Sequence, residues 1–361
     1  MIFTRIVSLI IGFSLVLTTL FSAVKTFVLP RSAPNWLTRT VFIAVRTVFS
    51  IILLPTKTYR ERDRIMAFYA PISLLLLVPV WLSLTTLGYT AIFWSLGSVS
   101  FYSAFRISGS SLLTLGSEAS QSHIQSVLVL SAATIGLILI ALLIAYLPTM
   151  YAAFARREIL VNLLEVRAGD PPSAVEMLLR FHRIHGLSQL TEQWTAWENW
   201  FSDIEESHTS LPALVFFRSP KPEHSWVTAS AAILDAAALT LSSVEVPNSP
   251  NAALCIRAGY LALRSIADYF GISYSTDPHY PQIPISVTRT EFENALDILA
   301  RNGVPLKIDR EQAWMDYAGW RVNYDAPLLG LIRITMAPDA PWTGVRSETD
   351  YFPPLILKRD R

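Results

Sequence analysis

Two long stretches without charged residues constrain the fold of this 361-residue chain more than any other feature. Residues 65–105 contain no Asp, Glu, Lys or Arg over 41 positions, and residues 119–155 contain none over 37 positions. A helix needs only ~20 apolar residues to cross a bilayer, so each stretch is longer than one span. The whole chain is 52% hydrophobic and 16% charged, which is too apolar for an ordinary soluble protein. The sequence therefore predicts a membrane protein.

Three apolar segments are predicted to cross the membrane as helices. The first lies between Arg5 and Lys25, where 19 residues carry no charge. A cleaved signal peptide is the alternative, but the apolar part is longer than the ~7 to 15 residues usual there, which favours an uncleaved span. The other two spans cover about residues 65–88 and 124–147, and the last is expected to end at Pro148.

The distribution of lysine and arginine predicts the orientation of these spans. Residues 25–64 carry eight Lys and Arg against two acidic residues, which places this segment on the cytoplasmic side. The N-terminus is then outside, residues 89–121 connect two spans on the outer face, and the chain returns to the cytoplasm at Arg156 and Arg157. We expect a multi-pass protein of the cell membrane, inner or plasma, with the lipid bilayer as its surroundings.

Residues 36–55 admit two interpretations. They are apolar enough to cross the membrane, but Arg46 falls in the middle, where insertion of the charge costs about 2.5–3.5 kcal/mol. Trp36 and Arg39 fit an amphipathic helix at the cytoplasmic interface, which is the preferred interpretation.

The second half of the chain differs in composition and predicts a soluble domain. Apolar residues recur there every three or four positions, which is typical of amphipathic helices. Its only cysteine, Cys255, has no partner for an internal disulfide, which fits a reduced cytosol. The predicted organisation has four parts: an N-terminal span with a basic interfacial helix at 1–63, a two-helix module at 64–155, a mostly helical cytoplasmic domain at 156–335, and a tail at 336–361.

Several residues of the second half lead to specific structural predictions. Thr290 followed by Glu293 predicts a capping box, and Asp309 with Gln312 predicts a second helix start. The three tryptophans recur at every third position and favour packing inside the domain over contact with a ligand or with lipid headgroups; they are Trp194, Trp197 and Trp200. Two charges sit within apolar helices, where pairing with one another or with other partners is expected; they are Asp235 and Arg257.

The connection at residues 89–121 is the most informative part of the membrane half. It is long, carries only two charges, and is rich in small and aromatic residues, so it is expected to be buried rather than to extend into water. Non-helical backbone at membrane depth is tolerated only inside protein or against a water-filled cavity. We therefore predict a re-entrant loop, with a short helix at about 98–111 and an extended return through Thr114 to Ser117.

The residues "SGSSLLTLG", between two spans and ahead of "ALLIAYLPTMYAAFARRE", resemble the two-helix pore module of potassium channels, whose filter reads T-V-G-Y-G or T-x-G-F-G. Together with "AGDPPSAVEMLLRFHRIHGL" and "ESHTSLPALVFFRSP", they are similar to bacterial inner-membrane proteins described as ion-channel-like. The resemblance covers residues 64–155 and implies a homotetramer conducting K⁺ or Na⁺. Thr114, Leu115 and Gly116 match the filter positions whose carbonyls replace the hydration shell of an ion.

Three further positions qualify this resemblance. Ser117 is included among the predicted filter residues, although the family has an aromatic residue at that position. Glu118 occupies the position of the second glycine of the family's filter. Glu118, repeated by symmetry, forms an acidic ring at the outer mouth or else is a solvated loop charge. Gly136 matches an inner-helix hinge, and close helix packing explains a small residue there equally well.

The sequence contains no complete motif for metal binding, catalysis or nucleic-acid binding. His182 and His185, or the Glu205–His208 pair, fall short of known metal-binding motifs, so no metal and no cofactor is expected. No catalytic motif or nucleic-acid-binding stripe is present, so the chain is not predicted to be an enzyme or to bind nucleic acid. The expected function is passive monovalent cation flux, gated by the cytoplasmic domain through an unknown cytosolic ligand or protein. The alternative is a non-conducting membrane-anchored scaffold or sensor that retains a degenerate pore module.

Overall fold

The fold was analysed in a computed structural model, which describes residues 2–29, 35–56, 58–97, 100–116, 122–247 and 250–342. Helices make up 77% of the residues that the structure describes, and no strand occurs in these ranges. The prediction of an all-α protein is therefore confirmed.

Thirteen α-helices lie in the described ranges. They are α1 (Ile2–Phe27), α2 (Trp36–Leu53), α3 (Tyr59–Met66), α4 (Tyr69–Ser95), α5 (Phe101–Leu112), α6 (His123–Ala168), α7 (Ala174–Arg183), α8 (Leu190–Ser210), α9 (Trp226–Ser242), α10 (Pro250–Phe270), α11 (Arg289–Arg301), α12 (Arg310–Arg321) and α13 (Asp325–Thr335).

Four helical segments are long and apolar enough to cross a membrane: α1, α2, the Tyr59–Ser95 segment that contains α3 and α4, and α6. This agrees with a membrane protein.

The predicted end of the last span at Pro148 is wrong, because α6 continues to Ala168. Proline removes one backbone donor from a helix, and neighbouring groups can compensate for that loss.

The chain divides into two compact units. The first unit comprises residues 1–52 and 68–152, and the second comprises residues 53–67 and 153–361. The short basic helix α3 thus groups with the second half of the chain, whereas the sequence assigned most of it to the N-terminal part.

Within the first unit, α1 packs antiparallel to α4 through small residues. A Cβ placed on Gly12 would lie 2.5 Å from the carbonyl oxygen of Gly88, so the two backbones approach closely. The Ser8 hydroxyl donates to Ala91 O over 3.0 Å. Further along, the Trp81 indole donates to the Ser22 hydroxyl over 3.1 Å. Small residues and interhelical hydrogen bonds are the usual means of association between helices in lipid.

Within the second unit, α9 is the central helix and is buried along almost its whole length. The three tryptophans of α8 pack into the same core, where Trp194 and Trp197 are fully buried and Trp200 is nearly so. Their predicted packing role is confirmed. A Cβ on Gly259 of α10 would lie 2.4 Å from Leu234 Cδ2, so α10 packs closely on α9 and a larger residue there would displace the leucine side chain.

The charge in α9 has a partner that the sequence did not identify. Asp235 accepts from Arg321 of α12 over 2.7 and 2.8 Å, whereas Arg257 is exposed. The hydroxyls of Tyr317 and Tyr324 also donate to Asp235. Burial raises the pKa of Asp235, and the pairing with Arg321 opposes that shift. The expectation of a structural pair is confirmed, and its partner is Arg321.

One predicted helix start is wrong and the other is confirmed. The capping box that opens α11 is formed by Thr288 and Glu291 instead of Thr290 and Glu293, because Thr288 is the residue with extended backbone at the helix start. Its hydroxyl accepts from Glu291 N, and the Glu291 carboxylate accepts from Thr288 N. At α12, Asp309 accepts from Gln312 N over 2.9 Å, as predicted.

The α3 helix is held in the second unit by buried polar contacts. Arg218 donates to the Asp63 carboxylate over 2.6 Å, and this pair is about nine-tenths buried. The same guanidinium donates to the Tyr59 hydroxyl and to the carbonyl of Thr335. Removal of one partner from such a pair leaves an uncompensated buried charge, so this contact fixes α3 strongly.

Candidate functional site between α4 and α6

The described part of the segment between α4 and α6 is dominated by α5. Ser100 is its N-cap, and the Ser100 hydroxyl accepts from Ser103 N over 3.1 Å. The helix covers Phe101–Leu112, so the predicted short helix is present, with its start three residues later than expected. Serine in this role satisfies one of the orphan amides of a helix start.

One face of α5 is packed between α4 and α6. Ala104 and Ile107 belong to a buried apolar cluster with Phe93 of α4 and Ala132 of α6. The Ser108 hydroxyl donates to the carbonyl oxygen of Thr86, in the middle of α4, over 2.7 Å. The helix therefore enters the space between its two neighbours.

The C-terminal end of α5 contacts α6 far from the first residue of that helix. The carbonyl oxygen of Leu112 would be 2.0 Å from a Cβ placed on Gly136. Gly136 lies roughly 20 Å from the first residue of α6 at 1.5 Å rise per residue. The close approach gives Gly136 a packing role, one of the two explanations that the sequence left open; its use as a hinge stays a prediction.

Three of the four predicted filter residues follow directly, and the first two, Thr114 and Leu115, form the C-terminal cap of α5. The amide of Thr114 donates to Ser111 O over 3.0 Å, and the amide of Leu115 donates to Ser110 O over 2.8 Å. Thr114 has a φ of +56°. These two hydrogen bonds and the left-handed residue define a Schellman motif. The predicted extended return is thus wrong at Thr114, where the backbone is left-handed.

Thr114 is unusual in this role. Glycine normally occupies the left-handed position, and a β-branched residue with positive φ is a genuine outlier that costs ~1–2 kcal/mol. His185 after α7 and Met336 after α13 also have positive φ, so left-handed caps recur in this chain without any pore. The strain at Thr114 is consistent with a functional constraint but does not establish one.

The carbonyl groups of the loop are available for a ligand. The Schellman bonds use the amides of Thr114 and Leu115, and within the described residues no donor lies on the carbonyl oxygens of residues 114–116. All three residues are exposed in the single chain, and the exposed fraction of Leu115 is 69%. Gly116 has a φ of +65°, so the backbone is left-handed on both sides of Leu115. Ser117 and Glu118 lie outside the described residues.

Sequence reasoning missed two residues of this arrangement. Ser108 and Thr86 anchor α5 to α4, and neither was singled out. Buried serine at helical spacing from the loop is a usable signal, because a hydroxyl at membrane depth must find an acceptor. Its acceptor cannot be identified from the sequence, because the choice depends on how α4 and α5 are aligned.

The histidines of the second unit do not form the metal motifs considered from the sequence. His208 is fully buried, with Nε2 3.3 Å from Arg157 Nη1 and Nδ1 3.1 Å from the Ser207 hydroxyl. Burial, together with the positive charge of Arg157, holds the pKa of His208 well below its usual range. His208 is therefore a neutral core residue at neutral pH.

Comparisons of the chain with models of protein families, with curated proteins and with solved structures found no match.

Proposed function

We propose that this chain is the subunit of a potassium-channel-like cation channel that allows passive flux of monovalent cations. The observation that carries the proposal is the seating of α5 between α4 and α6, with Leu112 O against Gly136. If α6 crosses the bilayer as proposed, Thr114, Leu115 and Gly116 lie at a depth where irregular backbone exposed to lipid does not occur.

The proposed mechanism uses backbone carbonyls. The carbonyl oxygens of residues 114–116 replace part of the hydration shell of a K⁺ or Na⁺ ion in the narrowest part of the path. One chain supplies one such loop, so the pore requires several copies, and a homotetramer is the proposed assembly. The exposed apolar side chains of α5 and its cap provide a surface for neighbouring copies or lipid; they are Phe101, Tyr102, Phe105, Leu113 and Leu115.

The contacts of α2 support its proposed position at the cytoplasmic interface. Its start is held at the end of α1, where the Thr26 and Thr38 hydroxyls are 2.7 Å apart. Its middle contacts the first residue of α4, because Phe42 and Phe49 both pack on the Tyr69 ring. A spanning α2 would instead run beside the second half of α4. With α2 at the interface, the chain has three spans and an outer N-terminus.

In this proposal the second unit is a cytoplasmic regulatory domain. Binding of a ligand or a protein partner to it changes the conductance. Deletion of residues 160–361 should then alter the rate or the regulation of flux, and identical flux would exclude gating by this domain. The cation path itself does not depend on this part of the proposal.

The alternative function is a non-conducting membrane-anchored scaffold or sensor. It is favoured by the Schellman motif, since Thr114 and Leu115 already serve as an ordinary helix cap. In that case residues 114–116 need no ion, and their positive φ values have a purely local cause.

Two glycine substitutions distinguish these functions. Gly97 and Gly116 both have positive φ, at +103° and +65°, and a Cβ at either would meet no atom of the described residues within 4 Å. Alanine at each position therefore introduces backbone strain without a steric overlap. The assay is K⁺ and Na⁺ flux from liposomes that contain the purified full chain.

For a channel, Gly116→Ala should reduce flux severalfold, because the strain displaces the carbonyls of the loop, whereas the matched Gly97→Ala should conduct like the wild type. Absence of flux from wild-type protein, or a monomeric mass in detergent, would refute the channel and leave the scaffold.

A further inference from the structure

Three side chains of the second unit converge at the C-terminal end of α6. Glu165 lies in its last turn, Asp170 follows the helix, and His224 lies in the turn before α9. One carboxylate oxygen from each acid and one ring nitrogen of the histidine all lie within 4.8 Å of one another. At 46 residues, α6 is about twice as long as a bilayer core requires, so its end can lie clear of the membrane.

The histidine of this group is buried, and one of its ring nitrogens is not used in a hydrogen bond by the described residues. The side chain of His224 is 4% exposed, and its Nε2 makes no hydrogen bond within the described part of the chain. Its Nδ1 lies 3.2 Å from Asn162 Oδ1, so Nδ1 carries the proton and donates to the amide oxygen. In the neutral imidazole the lone pair of Nε2 then points towards Glu165 Oε2, 3.4 Å away.

Two electron-rich atoms that face each other require a cation or a proton between them. The separation of 3.4 Å is close to the edge of a tetrahedron with bonds of roughly 2.1 Å, the length of Zn–N and Zn–O bonds. A metal-binding histidine usually donates its second ring N–H to an acceptor, and Asn162 Oδ1 is that acceptor here. Asp170 is exposed and can move the short distance needed to complete a third ligand.

We propose that Glu165, Asp170 and His224 form a binding site for a divalent transition-metal ion of the Zn²⁺ class, with water in the open position. One imidazole and two carboxylates are a donor set that such ions accept readily. The backbone around the site is firmly held, because Arg180 donates to the carbonyls of Glu165 and Val166 over 2.8 and 2.7 Å. The inference does not rest on ion conduction by the first unit.

Lys221 is the competing cation at this site. Its ammonium group bonds to Glu165 Oε2, and this bond, with the charges of Glu165 and Asp170, raises the pKa of Lys221. The pair is half-exposed, so it contributes little stability and a divalent ion can displace the lysine. Removal of Lys221 should therefore strengthen metal binding, an effect that a purely structural ion pair would not produce.

The test is Zn²⁺ binding to the purified, metal-stripped full chain in detergent, measured by competition with a fluorescent chelator. We expect one ion per chain, at least roughly tenfold weaker binding in Glu165→Gln and in His224→Gln, and tighter binding in Lys221→Met. His279→Gln is the matched control, because His279 is exposed and lies outside the group.

Near-UV circular dichroism verifies that each variant is folded. If the wild type takes up no Zn²⁺, or if it does so equally well without Glu165 and His224, the proposed site does not exist and the group is an ion-pair network. Tighter binding in Lys221→Met than in the wild type supports the site even where a ligand variant fails to fold.

Discussion

Replacement of Gly136 by alanine tests the seating of α5, on which the proposed function depends. An ideal Cβ at Gly136 would lie 2.0 Å from the carbonyl oxygen of Leu112, 3.0 Å from its carbonyl carbon and 3.4 Å from its Cα. All three are backbone atoms, so no side-chain rotation relieves the overlap. Non-bonded atoms prefer a separation of ~3.5 Å, so α5 and α6 must move apart by roughly 1.5 Å.

Two opposing effects set the magnitude. Overpacking of a tightly packed contact costs ~1–3 kcal/mol, while glycine to alanine in a helix interior gains ~1 kcal/mol. Because the overlap is large and involves backbone, we expect its cost to lie in the upper part of this range and the net loss to be ~1–2 kcal/mol. Gly109→Ala is the matched control in α5, where the nearest atom to a new Cβ is Thr86 Cγ2 at 4.0 Å. That variant should be unchanged or slightly stabilised.

The assay is thermal unfolding in detergent followed by tryptophan fluorescence, together with K⁺ flux from liposomes. Gly136→Ala should unfold at a lower temperature and conduct less, because the displaced end of α5 carries Thr114 with it, whereas Gly109→Ala should match the wild type in both measurements. If Gly136→Ala has wild-type stability and flux, α5 is not seated on α6 as described, and the main support for the channel is lost.

Four other predictions concern different parts of the chain. Thr114→Gly should stabilise the chain by up to ~1 kcal/mol in thermal unfolding, because glycine relieves the left-handed strain; an unchanged or lower stability would mean that Thr114 is not strained. Arg321→Met should cost ~3–5 kcal/mol, since it leaves Asp235 buried without its cation, whereas Met at the exposed Arg257 should change stability by less than ~0.5 kcal/mol; similar losses at both positions would contradict the pairing. Because burial depresses the folded-state pKa of His208, the unfolded chain binds an extra proton below pH ~6.5, so stability should fall by about 1.4 kcal/mol per pH unit from there towards pH 5; His208→Asn should reduce this slope, and an equal slope would show that other groups cause it. Since Cys255 is fully buried, a membrane-impermeant maleimide should label Thr4→Cys from outside intact cells and Arg64→Cys only after lysis; the reverse pattern would invert the proposed topology.

The helices of this protein were largely predictable because their signals are local. Charge-free segments and periodic apolar residues depend on neighbours in sequence, so α1, α4 and α6 were located to within several residues at most of their ends. The exceptions have local causes as well. Pro148 was expected to end α6, but a proline inside a helix leaves only one acceptor unpaired, and the periodic pattern continues beyond it.

The contacts that connect the helices were not predictable from the sequence. Asp235 and Arg321 are separated by 86 positions, and nothing in either segment prefers this pairing over one with Arg257. The same holds for Ser108 with Thr86 and for Leu112 with Gly136, which depend on the alignment of three helices. Composition indicated that charges and hydroxyls in apolar helices need partners, and only the packed structure identifies which.

The segment Thr114–Gly116 illustrates why a short motif cannot decide function here. A potassium-channel filter and a helix cap both require residues with positive φ, and both place glycine near the end of a short helix. In this chain the cap accounts for the two amides, and the filter would use the three carbonyls, so the two roles are compatible within one loop. What separates them is the number of loops that meet around one axis, which is a property of the assembly and not of the chain. The flux of Gly116→Ala against Gly97→Ala therefore carries more weight than any further similarity of sequence, because both variants introduce a side chain at a positive φ and only Gly116 lies in the proposed ion path.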